Sequence, residues 1–100
     1  MNVMQTDALR DAAECLKTLG HPHRLRMVQM MLDSRHTVGE LATACGVASH
    51  VASDHLRMMK DRGLLNSRRE GRRTYYRIED KGLASIMDCV EKRYGARAGR

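Results

Sequence analysis

The sequence has no phenylalanine and no tryptophan, and three tyrosines are its whole complement of large aromatics. That argues against single-stranded RNA as a partner, because unpaired bases are held by stacking on aromatic side chains. It also leaves a core of Leu, Val and many of the eight Met, side chains that pack adaptably and suit a small domain that gains stability by dimerising. No apolar run approaches the roughly 20 residues that a membrane-spanning helix needs, and no leader-like apolar segment opens the chain. No membrane role is expected, and the cytoplasm is the expected location. Cys15, Cys45 and Cys89 are an odd number without the spacing of a disulfide framework, which fits reduced thiols. Nucleophile elbow, phosphate loop and paired-carboxylate constellations are missing too, so neither an enzyme nor a cofactor is expected.

Positive charge is what the chain has in excess. Eighteen Lys and Arg against twelve Asp and Glu give a net charge of +6, which suits a polyanionic partner. The excess is concentrated. Between Ala48 and Arg77 eight basic residues (Arg57, Lys60, Arg62, Arg68, Arg69, Arg72, Arg73 and Arg77) face only Asp54, Asp61 and Glu70.

Hydrophobic periodicity then gives the elements. Ala8, Leu9, Ala12, Ala13, Leu16 and Leu19 form a helical stripe, with Asp7 as the expected N-cap and Gly20 as the stop. Pro22 suits the first turn of a second helix, apolar on most sides through Leu25, Met27, Val28, Met30, Met31 and Leu32. Thr37 and Glu40 have the spacing of a capping box, opening a short helix that buries Val38, Leu41, Ala42 and Cys45 and ends at Gly46. Ser49 is the expected cap of the next helix, whose inner face is Val51, Ala52, Leu56 and Met59 and which Gly63 ends. From Leu65 to Ile78 the period becomes two, predicting a β-hairpin with its tip over Arg68 to Arg73. A last helix is expected from about Asp80, with Leu83, Ile86, Met87, Val90 and Tyr94 on one face. The whole chain, 1–100, reads as one domain with flexible ends at 1–6 and 95–100. It is mainly α with a small hairpin, in the order ααααββα.

Two short helices joined through Gly46-Val47-Ala48, the second followed by a basic hairpin, are what a winged helix-turn-helix requires. In that reading Ser49, His50, Ser53, Asp54 and Arg57 present themselves to base edges in the major groove. Arg68, Arg69, Arg72 and Arg73 on the wing reach phosphates or the minor groove. Asp54 either accepts from a cytosine amine or repels phosphate and sharpens specificity. His55 is either part of that surface or a packed, hydrogen-bonded scaffold residue.

The stretches Leu19-Gly20-His21-Pro22-His23-Arg24-Leu25-Arg26, Val38-Gly39-Glu40-Leu41-Ala42, Ser53-Asp54-His55-Leu56, Arg62-Gly63-Leu64-Leu65 and the wing from Arg69 to Arg77 occur in an order that resembles the ArsR/SmtB family. The resemblance covers residues 7 to 94. It implies a transcriptional repressor that grips double-stranded DNA as a homodimer, joined through its first and last helices, at an inverted-repeat operator until an inducer releases it. The departures concern that inducer. Thr37, Val38 and Gly39 stand where the family's metal sensors carry Cys-x-Cys, and the last helix has no His to bind zinc beside Asp88. No metal site is expected from these patterns, although His21 and His23 flank Pro22, and a metal-responsive repressor with a non-standard site stays an alternative. Cys15 and Cys89 fall on the two helices that the family uses to dimerise, which makes them a candidate thiol sensor. Incidental interface cysteines are the plainer reading. From another class comes a winged helix used only for protein contacts, which leaves the basic wing unexplained.

Overall fold

The computed structural model describes residues 3–95. In chain order they form α1 (Thr6–Leu19), α2 (Pro22–Asp33), α3 (Val38–Cys45), α4 (Ser49–Asp61), β1 (Leu65–Glu70), β2 (Arg73–Ile78) and α5 (Gly82–Tyr94). This is the expected order of elements, a winged helix-turn-helix. Of the flexible ends expected at 1–6 and 95–100, residues 1–2 and 96–100 lie outside the described residues, and Thr6 already opens α1.

Met27 and Val28 of α2, Leu41 and Ala42 of α3, and Ala52, Leu56 and Met59 of α4 meet at the centre, closed by Leu19, Leu64, Leu65, Leu83 and Met87. The helical spacing of these residues puts each set on one face, and burying them away from water is the main force holding the helices together. Three tethers pin the frame around that core. Arg24 Nη1 donates to the Thr18 carbonyl at 2.9 Å, Arg62 bonds Glu14 at 3.0 Å across α4 and α1, and Gln29 donates to Glu91 at 2.7 Å across α2 and α5.

The turn between α3 and α4 is built from its ends. Thr37 caps α3, its hydroxyl accepting from Glu40 N at 3.1 Å while the Glu40 carboxylate accepts from Thr37 N at 2.8 Å. At the other end Gly46 adopts φ 68°, and its N–H bonds back to Ala42 and Thr43, a left-handed stop that a side chain would strain. Val47 N then returns to the Ala42 carbonyl, and α4 begins after Ala48.

Local chemistry was overridden at several boundaries. The N-caps of α1 and α4 are Gln5 and Ala48, without side-chain bonds, in place of Asp7 and Ser49. Both expected caps lie inside the helix instead. A cap is worth only about 1 kcal/mol, less than docking Leu56 and Met59 in the core. Helix α5 starts at Gly82 rather than Asp80, whose carboxylate accepts from Gly82 N at 2.8 Å. Cys45, expected in the core, is half-buried at the exposed end of α3, with its thiol directed to the His23 carbonyl at 3.7 Å.

The wing is longer and tighter than the expected tip. Strands β1 and β2 pair antiparallel from Leu65↔Ile78 to Glu70↔Arg73, so Arg68 and Arg69 lie in a strand and only Gly71-Arg72 form the turn. Gly71 at φ 64° supplies the positive φ that a two-residue hairpin turn needs at its first position. Six residues per strand carry that turn roughly 20 Å from the strand bases. The base itself is clamped, because Glu79 N and Asp80 N both donate to the Leu64 carbonyl.

Candidate nucleic-acid interface

Helix α4 is docked by Ala52, Leu56 and Met59, which leaves its opposite face to solvent. Ser49, His50, Asp54 and Arg57 are exposed there, and Ser53 is half-buried. The side chains of Ser49, His50 and Ser53 make no hydrogen bond among the described residues, so their donors and acceptors are unspent. Asp54 and Arg57 are spent on each other, one turn apart on the exposed face. A base or phosphate that takes Arg57 uses its remaining N–H donors or displaces Asp54.

The wing comes back over this face. Ser53 of α4, Thr37 and Gly39 at the start of α3, and Arg72, Arg73 and Thr74 of the wing line one recess of about 460 Å³. Ser53 and two wing arginines, about twenty residues apart in sequence, therefore share a single concave surface. Thr37 and Gly39 were not among the expected contacts. The part of Thr37 in the capping box masked its place on the rim.

The four wing arginines do not line one surface. Strand pairing alternates faces, so Arg69 lies on the face of Ser67, Thr74 and Tyr76, whereas Arg68 shares the other with Glu70, Arg73, Tyr75 and Arg77. Arg68 lines a groove against α2, together with Arg35 and Tyr75. Arg72 and Arg73 are the pair that borders Ser53.

Behind the interface His55 proves to be scaffold. It is half-buried, its Nδ1 accepts from Arg24 Nε at 3.1 Å, and its ring centroid lies 4.6 Å from that of His21 and 5.9 Å from that of His23. His21 Nδ1 is itself occupied as the cap of α2, accepting from His23 N at 3.1 Å. Among the described residues no group of three or more His, Cys, Asp or Glu is arranged to hold a metal ion.

Burial holds His55 below the ordinary imidazole value, helped by the charge of Arg24 and by His21 and His23, with Asp54 opposing. A depressed value means that the folded state resists a proton which the unfolded chain accepts near pH 6.5. Stability contributed by neutral His55 is therefore complete above that pH and is lost as the pH falls towards the folded value. His55→Gln is expected to flatten the acid side of the melting-temperature profile between pH 7 and the onset of carboxylate titration. In the NMR spectrum the His55 ring should titrate below those of free imidazoles. A wild-type ring titrating at or above the ordinary value contradicts this.

Cys15 sits half-buried on α1 and Cys89 exposed on α5, and both are free thiols. Burial first, and then the charge of Asp80, raises the Cys15 thiol, the opposite of the shift that makes a ready thiolate. Burial likewise raises Cys45. Among the described residues no helix is long and apolar enough to cross a membrane.

Comparison with known proteins agrees with this geometry. A helix-turn-helix domain family matches residues 19–68. The HTH-type transcriptional regulator YgaV of Escherichia coli is 34% identical over 84 residues, covering 83% of this chain and 85% of the relative. The HTH-type transcriptional repressor SmtB of Mycobacterium tuberculosis is 35% identical over 85 residues, 84% of this chain and 63% of the relative. Among solved structures, HlyU from Vibrio cholerae superposes with a TM-score of 0.80 at 25% identity, over 91% of this chain and 98% of that one. The homodimeric winged helix-turn-helix DNA-binding domain of a possible ArsR-family regulator from Mycobacterium bovis gives 0.74 at 31% identity, over 91% and 87%.

Proposed function

Because the chain belongs to the ArsR/SmtB-type winged helix-turn-helix transcription regulators, and is no enzyme, we propose that it represses by gripping an inverted-repeat operator as a homodimer. In this reading His50 and Ser53 read base edges in the major groove, Ser49 assists at the helix start, and Arg72 and Arg73 hold the flanking backbone. The carrying observation is the shared recess of Ser53 with Arg72 and Arg73, since reading and positioning groups must engage one duplex at once. Asp54, paired to Arg57, acts here as a specificity filter. A duplex that cannot compensate the carboxylate is disfavoured.

Selection of bound duplexes from a random pool tests this reading. The wild type should enrich two half-sites with centres about one helical turn, or a multiple of it, apart. His50→Ala and Ser53→Ala should each change the enriched bases, at about 1–3 kcal/mol per altered contact, while keeping the affinity for random duplex. An unenriched pool, or variants that enrich the wild-type sequence, would refute it.

For the release signal, the thiol reading rests on the placement of Cys15 and Cys89 on α1 and α5. A thiol raised by burial reacts slowly near neutral pH, so oxidant release, if built on Cys15, should quicken as the pH rises. The Cys15→Ser, Cys89→Ser double variant is expected to keep wild-type duplex affinity and to lose release by polysulfide or peroxide. Release that persists in that variant rules the two thiols out.

A further inference from the structure

Between the C-terminal end of α2 and the wing lies a groove of about 530 Å³, within the span of small-molecule sites, about 300–1,000 Å³. Its lining has two characters. Met31, Leu32 and Ile78 supply an apolar side, and the ring of Tyr75 is stacked under the Arg35 guanidinium at 3.7 Å from its centroid. Around that side stand Arg35, Arg68 and Arg77.

One acidic group answers the three guanidiniums. Glu70 is ion-paired with Arg35, and neither Arg68 nor Arg77 has an ion pair among the described residues. The hydrogen bond from Arg35 comes first in holding the Glu70 carboxyl below its usual value, and the fields of Arg35, Arg68 and Arg77 add to it. Glu70 thus marks the place where three positive fields converge, and it leaves two of those charges unanswered beside an apolar wall. The phosphate backbone that would draw these arginines offers no apolar body to cover Met31 and Ile78, whereas an amphipathic carboxylate offers both the body and the charge.

We propose that this groove is a binding site for a small organic anion, a carboxylate or sulfonate on an aromatic or aliphatic body, held by Arg35, Arg68 and Arg77. The anion takes over Arg35 from Glu70 and stacks against Tyr75. Arg35 belongs to the connection after α2, and Glu70 and Tyr75 belong to the wing, so exchanging the Arg35–Glu70 bond changes how the wing is moored. Resting on the duplex-binding reading above, occupation of the groove then shifts operator affinity, because the same hairpin carries Arg72 and Arg73.

The probe is 1-naphthoate, with its neutral isostere 1-naphthamide as control, titrated calorimetrically into the full chain without DNA. Naphthoate is expected to bind in the micromolar to millimolar range, and the amide about tenfold more weakly or worse, as loss of charge-assisted bonds implies. Amide resonances of Arg35, Tyr75 and Arg77 should shift. Arg35→Ala and Arg77→Ala, both at exposed positions and checked for wild-type circular dichroism, should each cost naphthoate about tenfold and leave the amide unchanged. Saturating naphthoate should alter duplex affinity at least about fivefold. Equal binding of acid and amide, shifts elsewhere, or no binding at millimolar probe overturns the site. If a short duplex shifts Arg35 and Tyr75 while naphthoate does not, the groove belongs to the phosphate backbone and the proposal fails. A chain that binds naphthoate but no duplex refutes the operator reading and leaves the site standing. Unchanged duplex affinity at saturation refutes the coupling.

Discussion

Replacing Arg72 and Arg73 together with alanine is expected to weaken binding to every duplex by about the same factor, between tenfold and a hundredfold at moderate salt. The two side chains lie at the hairpin turn, exposed, and border the recess that holds Ser53. They contribute nothing to the core, so the variant should melt like the wild type. Each arginine that neutralises a phosphate releases condensed counterions, at a slope of about 0.9 per contact in log affinity against log salt. Losing both should flatten that slope by about two contacts per protomer engaged. Gly71 and the Leu64 clamp keep the hairpin in place, so the loss is read as charge and not as a collapsed wing. Binding titrations over a salt series, on an enriched and a scrambled duplex, provide the measurement. A change confined to the enriched duplex would mean that these arginines read bases, against the division of labour argued above.

The elements themselves were written in the sequence because their signals are periodic. The stripes Val38, Leu41, Ala42, Cys45 and Val51, Ala52, Leu56, Met59 predict which faces meet; Leu41, Ala42, Ala52, Leu56 and Met59 are buried, and Val38, Cys45 and Val51 are half-buried beside them. The Thr37–Glu40 capping box and the Gly46 stop are equally local, each needing only four residues or a glycine to be seen. Boundaries resisted where a weak local preference competed with a stronger distant one. Ser49 is a better cap than Ala48 by its chemistry, yet the length of the turn is set by how α4 docks on α3. The hairpin tip was drawn too wide because Arg68 and Arg69 look like turn residues by charge. Their strand character comes from Tyr75 and Thr74 opposite them.

Within the site, the exposed face of α4 could be read directly, and the role of each basic residue could not. A list of arginines carries no information about the groove beside α2 that Arg68 lines, or about the separate recess that Arg72 and Arg73 border with Ser53. The pairing of Asp54 with Arg57 follows from a three-residue spacing and was legible in principle. For His55 the scaffold reading stood open in the sequence but its partners did not, since His21, His23 and Arg24 lie some thirty residues away in the chain, brought near only when α4 docks against the start of α2. Cys45, at the last turn of α3, packs against the core but is half-buried rather than enclosed by it.

The largest loss of operator binding is expected from a change far from the DNA face. Helix α1 enters the core only through its last turn, where Thr18 and Leu19 are buried and Cys15 is half-buried. The remainder of its stripe faces solvent, with Leu9 51% and Leu16 57% exposed, and Tyr94 at the end of α5 is 51% exposed. An amphipathic helix whose apolar side finds no cover within its own chain needs a partner, and under two-fold symmetry each uncovered leucine counts twice. The Mycobacterium bovis neighbour is a homodimer, and in the reading proposed above a second copy of this chain is the partner. Leu9→Glu with Leu16→Glu places four charges into that contact and none into the core. The double variant should keep wild-type helicity and sediment as a monomer at concentrations where the wild type is a dimer. A monomer holds one half-site at a time, so affinity for the two-half-site operator should fall by about 10²- to 10⁴-fold while affinity for an isolated half-site stays level. Parallel sedimentation and titrations on full and half operators separate the two effects. If the variant still dimerises, or if it binds the full operator as tightly as the wild type, the interface does not run through α1.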